Sequence, residues 1–367
     1  MAQIPVTLLT GFLGSGKTTV LNRLVQQPDM ADAMVLINEF GEIGLDHLLV
    51  AHSREDVVVE MSSGCLCCTI RGDLVRTLVS ILDAADRNEA RRFARVVIET
   101  TGLADPTPIV HTLATHPALK ERYRFDGVAT TIDARNGEAT LDAHVEAVKQ
   151  AAMADRLLMT KTDLVDDRAL TQLRDRLHAI NPVAQVMHVS HGEVDARRML
   201  DIGLFTVDGK IADVQKWLAD ARFDDQEHHD HNGHGHSQDR DHLHHHRHHD
   251  VNRHDDQIRA FCFIIDDPIP DHVLTEWLDV LMSLLGVSML RIKGILNVRG
   301  QEQPIVIHGV QHVFHPPVAL DAWPSDDRRS RIVFITRSIG RETIEQSFRI
   351  FSEAYAIRAT AAGPVLG

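Results

Sequence analysis

A chain of 367 residues with 44% apolar and 25% charged residues can bury a substantial core, more naturally as two domains than as one. Its formal charge of −14 argues against nucleic acid or anionic membranes as partners, and no apolar run is long enough to span a bilayer. The opening MAQIPVTLL lacks a basic n-region and the functional glycines begin at Gly11, which leaves no room for a removable signal peptide; with four cysteines, three of them in Cys65-Leu66-Cys67-Cys68, a reducing, cytoplasmic setting is expected.

Short apolar runs alternate with helical patterns through the first part of the chain, as in a mostly parallel sheet covered by helices on both faces. Strands are expected over residues 5–10, 34–38, 57–61, 95–99, 128–132, 157–160 and 185–189. Val20, Leu21 and Leu24 share one helical face, and Leu74, Leu78, Ile81 and Leu82 share another. The first strand runs into Gly11-Phe12-Leu13-Gly14-Ser15-Gly16-Lys17-Thr18, which opens a helix. In such a loop Gly11, Gly14 and Gly16 let backbone N–H groups, with that of Ser15, wrap phosphates. Lys17 reaches the outer phosphates, and the Thr18 hydroxyl, with Thr19 beside it, faces Mg²⁺.

After the second strand comes Asn38-Glu39-Phe40-Gly41-Glu42, which reads alone as a solvated turn but is placed where a loop could sense a γ-phosphate and lend a carboxylate to a metal. After the third comes Gly64-Cys65-Leu66-Cys67-Cys68, ahead of a helical pattern from Asp73. A helix N-terminus or a bound metal would lower the thiol pKa values; adjacent cysteines make a poor mutual disulfide, and three thiols lack the fourth ligand of a closed zinc site. An incomplete site suits transfer, with a redox centre or buried apolar cysteines as competing readings. Glu99, at the end of the next strand in Val96-Val97-Ile98-Glu99-Thr100-Thr101-Gly102, is suited to hold Mg²⁺ through water, with Gly102 able to approach the γ-phosphate; a loop carboxylate is the alternative. In Thr160-Lys161-Thr162-Asp163, Asp163 could accept both guanine donors while the Lys161 stem lies over the base; the same tetrapeptide could also be a polar strand exit.

From Asp224 the apolar periodicity vanishes until about Ile258. That stretch carries His228, His229, His231, His234, His236, His242, His244, His245, His246, His248, His249 and His254 among aspartates and glycines, expected to be a disordered auxiliary metal collector or a solvated spacer. Beyond it lie a strand over 260–265, a helix through Val273, Leu274, Trp277, Leu278, Leu281 and Leu285, strands over 289–298, 304–314 and 331–336, and a helix with Ile344, Phe348 and Phe351. Cys262, alone in an apolar strand, reads as core.

The chain resembles the CobW-type metallochaperone GTPases, of the SIMIBI class of P-loop GTPases, through the phosphate loop, the Asn38-Glu39-Phe40-Gly41-Glu42 and Glu99-Thr100-Thr101-Gly102 segments, Gly64-Cys65-Leu66-Cys67-Cys68-Thr69-Ile70-Arg71-Gly72-Asp73-Leu74, and Leu290-Arg291-Ile292-Lys293-Gly294-Ile295-Leu296. The resemblance covers nearly the whole chain. It implies that GTP and Mg²⁺ order a switch around Glu39 and Glu42, that a zinc or cobalt site is completed at Cys65, Cys67 and Cys68, and that hydrolysis allows handover to a client apo-metalloprotein. A homodimer is one further partner it allows. One position departs: Thr160 stands where the family often has Asn, and a hydroxyl replaces only part of an amide's hydrogen bonding.

The expected architecture is α/β, a P-loop GTPase domain over 1–220, a histidine-rich bridge over 221–256 and a smaller α+β domain over 257–360. Lys17, Glu99 and Gly102 are the expected catalytic positions. No arginine can be assigned as a transition-state finger, so intrinsic hydrolysis should be slow. Rivals are a GTP-regulated metal buffer built on the histidine tract and a P-loop kinase, the latter leaving the thiols and the guanine-reading motif without a role.

Overall fold

The computed structural model describes residues 3–37, 58–60, 68–200, 202, 257–311 and 313–361, without side chains at 58–60, 68–71, 73 and 356–361. Glu39, Glu42, Cys65, Cys67 and the histidines of the 228–254 tract fall outside these residues, and Cys68 is placed by its backbone alone.

Seven strands, Ile4–Gly11 (β1), Ala33–Ile37 (β2), Val58–Glu60 (β3), Arg95–Glu99 (β4), Tyr123–Asp133 (β5), Arg156–Thr160 (β6) and Gln185–His188 (β7), form one sheet in the order β3-β2-β4-β1-β5-β6-β7. Every ladder in it is parallel. Parallel strands need both faces covered, and the period-two alternation supplies two apolar faces. Leu9, Val35, Val97 and Leu158 meet Val20, Leu21 and Leu24 of Lys17–Leu24 (α1). Leu8, Leu36, Ile98 and Met159 point the other way. They join the cluster formed with Cys68–Asp86 (α2), Thr107–Thr115 (α3), Pro117–Lys120 (α4), Gly137–Ala143 (α5), Val145–Met153 (α6) and Asp167–Ile180 (α7). β1 lies at the centre between β4 and β5; the chain passes from it to β2 on one side and, after β4, crosses over it to β5 on the other, which makes its carboxyl end a topological switch point where ligands bind.

Several boundaries differ from the sequence expectation. β5 begins at Tyr123 rather than 128, because Asp126 and Gly127 hide the run: the register against β1 shifts between Val6 and Thr7, and the buried Asp126 accepts a 2.8 Å hydrogen bond from the Thr7 hydroxyl. Helix α2 starts at Cys68, ahead of Asp73. The 304–314 run is divided between Ile305–Val310 (β10) and Val313–Phe314 (β11) by a turn in which Gln311 has φ 52°.

The second sheet adds Ile258–Ile265 (β8), Met289–Leu296 (β9), Val318–Ala319 (β12) and Ser330–Arg337 (β13), paired antiparallel in the order β11-β10-β9-β13-β8 with β12 on β10. One face is covered by Asp271–Leu285 (α8) and Arg341–Ala361 (α9), around Phe263, Trp277, Phe334 and Phe348. The other face, with Cys262, Leu290, Ile295, Val306 and Val333, joins the cluster already built on α6 and α7, so one apolar core runs across both sheets.

A charge pair lies in this shared core. Arg291 of β9, fully buried, donates from Nη1 to the Met153 carbonyl at 2.7 Å and from Nη2 to Asp155, which also accepts from the Val128 N–H at 3.0 Å. Burial is the largest single influence and would raise the Asp155 pKa, but the Arg291 charge and hydrogen bond, together with the neighbouring His308 and Lys293, outweigh it and hold the carboxyl well below the usual carboxylate range. Nη2 also lies 3.1 Å from His308 Nε2; a guanidinium can only donate, so Nε2 is the acceptor and His308 is neutral. Burial first, and the Arg291 charge second, push the His308 pKa well down, with Asp155 opposing and His315 and Lys293 adding to the depression.

As pH falls through about 6.5 the unfolded chain gains a proton at His308 and the folded chain does not, so this residue lowers stability by up to ~1.4 kcal/mol per pH unit below that point. Thermal unfolding midpoints should therefore drop between about pH 7.5 and 5.5. His308→Gln, which keeps an acceptor for Arg291 but cannot titrate, should flatten the dependence; an unchanged slope would contradict the assignment.

Candidate functional site

The loop between β1 and α1 is held in a shape that only glycine permits at its first position. Gly11 has φ 142°, and a Cβ there would lie 2.2 Å from Thr131 Oγ1 and 2.5 Å from the Thr131 carbonyl. Gly14 and Gly16 follow at φ 71° and 91°. Gly16 caps α1, whose first residues are Lys17, Thr18 and Thr19, so unpaired N–H groups and the positive end of the helix dipole point into the loop. Lys17 folds back over the loop, donating from Nζ to the Gly11 carbonyl at 3.0 Å and the Phe12 carbonyl at 3.3 Å.

Neighbouring strand ends brace the loop. Ser15 and Thr131 exchange a 2.6 Å hydroxyl contact. Thr160, at the end of β6 and 3% exposed, donates its hydroxyl to the Ser15 carbonyl at 2.6 Å, with the Ile132 carbonyl at 3.2 Å. Lys161, in the left-handed region at φ 55°, reaches the Gly14 carbonyl at 2.8 Å and Asp133 Oδ2 at 2.7 Å. Asp133 also accepts from the backbone N–H groups of Arg135 and Asn136 and from the Asn136 amide. Burial raises the Asp133 pKa, but the bonds from Lys161, Asn136 and Arg135 prevail and hold it below the ordinary value, so it stays an anion and a fixed anchor for Lys161.

Asp163 lies on the loop after β6 and accepts from the Ser190 hydroxyl at 3.3 Å, with His191 Nδ1 at 3.9 Å. Ser190 and His191 follow β7, and Gly192 beside them approaches α1 so closely that a Cβ would lie 2.8 Å from Thr19 Cγ2. On the other side of β1, the Thr18 hydroxyl donates to Glu99 Oε1 at 3.0 Å. Two hard oxygens at this spacing, next to phosphate-facing N–H groups, fit Mg²⁺ directly at Thr18 and through water at Glu99. Gly102 packs on the loop itself, where a Cβ would meet the Leu13 backbone N at 2.6 Å. Its carbonyl, 3.2 Å away, and that of Ala104, 3.0 Å away, accept from the side chain of Gln150, a buried residue of α6.

The predicted nucleotide residues thus converge on one edge of the sheet. Sequence reasoning missed Thr131, Asp133, Gln150 and Ser190. For Gln150 a signal exists, a lone amide on the apolar face of α6; the others became visible only when the strand ends met. Among the described residues no group of three or more His, Cys, Asp or Glu side chains is close enough to hold a metal, and no helix is long and apolar enough to cross a membrane.

Comparison with known proteins agrees with this geometry. Residues 5–188 match the CobW/HypB/UreG nucleotide-binding domain, and residues 258–351 match the cobalamin synthesis protein CobW C-terminal domain. Zinc chaperone YjiA of Escherichia coli (strain K12) is 29% identical over 348 residues, spanning 95% of this chain and 98% of its own. Zinc-regulated GTPase metalloprotein activator 1 of Schizosaccharomyces pombe is 35% identical over 198 residues, 52% of this chain and 47% of its own. The crystal structure of Zn(II)-bound YjiA GTPase from E. coli aligns with a TM-score of 0.66 at 26% identity, covering 96% of this chain and 99% of that one.

Thr160→Ala should leave the Ser15 carbonyl without its donor, at a cost of ~1–2 kcal/mol, and weaken guanine-nucleotide binding about tenfold by calorimetric titration, while Thr160→Ser preserves it. Unchanged affinity in the alanine variant would remove the loop-holding role.

Proposed function

The chain belongs to the CobW/HypB/UreG family, and on that premise we propose that it is a GTP-hydrolysing metallochaperone that binds zinc through Cys65, Cys67 and Cys68, with Glu39 and Glu42 as oxygen ligands, and passes the ion to an apo-metalloprotein client. The GTPase activity is a property of the family. The observation that best supports the finer reading is one of register. Ile37, the last residue of β2, pairs with Glu99 on one side and with Glu60, the last residue of β3, on the other. The chain leading to Glu39 and Glu42, and the chain leading to the cysteines, therefore leave the sheet at the edge that carries the phosphate loop and the Thr18–Glu99 oxygen pair.

Helix α2 begins at Cys68, the last cysteine of the motif, and a helix N-terminus favours thiolates and hence soft metal ligation. In nucleotide binding, Lys17 and the α1 N–H groups take the phosphates, while Asp163, oriented by Ser190, accepts the paired donors of guanine. When bound at Thr18 and Glu99, Mg²⁺ supplies neutralisation of the developing phosphate charge. Glu39 and Glu42 follow the end of β2 by two and five residues in the chain, and in this reading they answer to both nucleotide and cargo. Zinc is preferred to cobalt because the relatives are named for zinc; ligand softness alone does not separate the two.

Cys67→Ser combined with Cys68→Ser should abolish tight zinc binding in competition with a chromogenic chelator while leaving GTP affinity within about twofold; Lys17→Ala should do the reverse. A chain lacking residues 228–254 should still transfer zinc in a GTP-dependent manner. Loss of transfer on that deletion would favour the buffer built on the histidine tract.

A further inference from the structure

The last four carbonyls of an α-helix have no partner within it, and a buried helix end must find donors elsewhere. In α6 those of Gln150, Ala151, Ala152 and Met153 receive side-chain donors from three separate places. Thr130 on β5 donates to the Gln150 carbonyl at 3.0 Å. The Asn181 amide, fully buried, donates to the carbonyls of Ala151 at 2.9 Å and Ala152 at 3.0 Å, and also to that of Ala154 at 2.9 Å. The fourth, Met153, is served by Arg291 at 2.7 Å, and Arg291 lies on β9 of the second sheet. Its guanidinium also places a full positive charge at the negative end of the α6 dipole and grips Asp155, the residue just before β6.

Both elements so held lead to the nucleotide loops. One turn back along α6 from Met153, the side chain of Gln150 holds the carbonyls of Gly102 and Ala104, and Gly102 packs on Leu13 of the phosphate loop. At the far end of β6, Thr160 holds the Ser15 carbonyl. We propose that Arg291 is a positioning residue for GTP hydrolysis: the second domain completes the C-terminal cap of α6 and thereby fixes Gln150, and through it the Gly102 segment, against the phosphate loop. The inference does not depend on the metal site.

The test is steady-state GTP hydrolysis by the full chain, with thermal unfolding measured in parallel. Removing one member of a buried pair strands the other charge, so the informative variant is Arg291→Met combined with Asp155→Asn, which removes both charges and leaves an acceptor for the Val128 N–H. It should lower kcat about tenfold with KM for GTP and affinity for GDP within about twofold, and Gln150→Ala should do the same. Combining all three substitutions should cost no more than either change alone, because they act on one path. Arg291→Lys, with charge but no fork, should fall between. A kcat unchanged in folded variants whose melting temperature has dropped would show a purely structural cap and overturn the proposal, as would losses that multiply to about a hundredfold. Should the charge-free pair fail to fold, Arg291→Lys and Gln150→Ala decide by the same criterion.

Discussion

The structure depends on the contact between Gly11 and Thr131. β1 is buried on both faces and flanked on both edges, so its only free exit is its carboxyl end, and there the backbone must turn into α1 while lying against the next strand. A residue with a Cβ cannot do this without displacing β5. From that single close approach the rest follows: the phosphate loop is fixed relative to β5, β5 carries Asp133, Asp133 anchors Lys161, and β6 brings Thr160 under Ser15. A loop braced on several sides presents its N–H groups without having to reorganise when an anion arrives.

The second sheet is not an appendage to this arrangement. Its inner face, including Cys262, completes the apolar cluster that α6 and α7 begin, and Arg291 and Asp155 set a charge pair within it. Buried pairs of this kind are weak contributors to net stability but strict in geometry, since any other docking angle would strand a charge. The pair therefore selects one relation between the two sheets.

What was legible in the sequence was what local backbone chemistry dictates. The run of glycines before Lys17 announces positive φ angles, and a buried strand before it and an amphipathic helix after it leave few alternatives. Asp163 and Glu99 stood out in the sequence because ligands in such sheets bind at the carboxyl ends of strands. What escaped were features set by the meeting of distant segments. The start of β5 was hidden by Asp126, polar in sequence but paired with Thr7 across a bulge. Thr160 was read by its departure from an asparagine, whereas its hydroxyl is engaged by the backbone of the phosphate loop, a contact that no spacing rule predicts. Arg291 stood out only as part of a resemblance; its partners on the first domain, Asp155 and Met153, lie 136 and 138 residues away in the chain. Cys65, Cys67, Glu39 and Glu42 lie outside the described residues, so their reading rests on the strands and helix that bracket them.

The central proposal is that nucleotide state and metal affinity are coupled because the chain runs toward Glu39, Glu42 and the cysteines from the ends of β2 and β3, beside the end of β4 that carries Glu99. If the coupling exists, linkage requires metal to alter GTP affinity by the same factor that GTP alters metal affinity. The direct measurement is the zinc dissociation constant of the intact protein, by chelator competition, with Mg²⁺ and either a non-hydrolysable GTP analogue or GDP. The account predicts affinities that differ between the two nucleotide states by about fivefold or more. Equal zinc affinities would contradict it, even for a protein that both hydrolyses GTP and binds zinc.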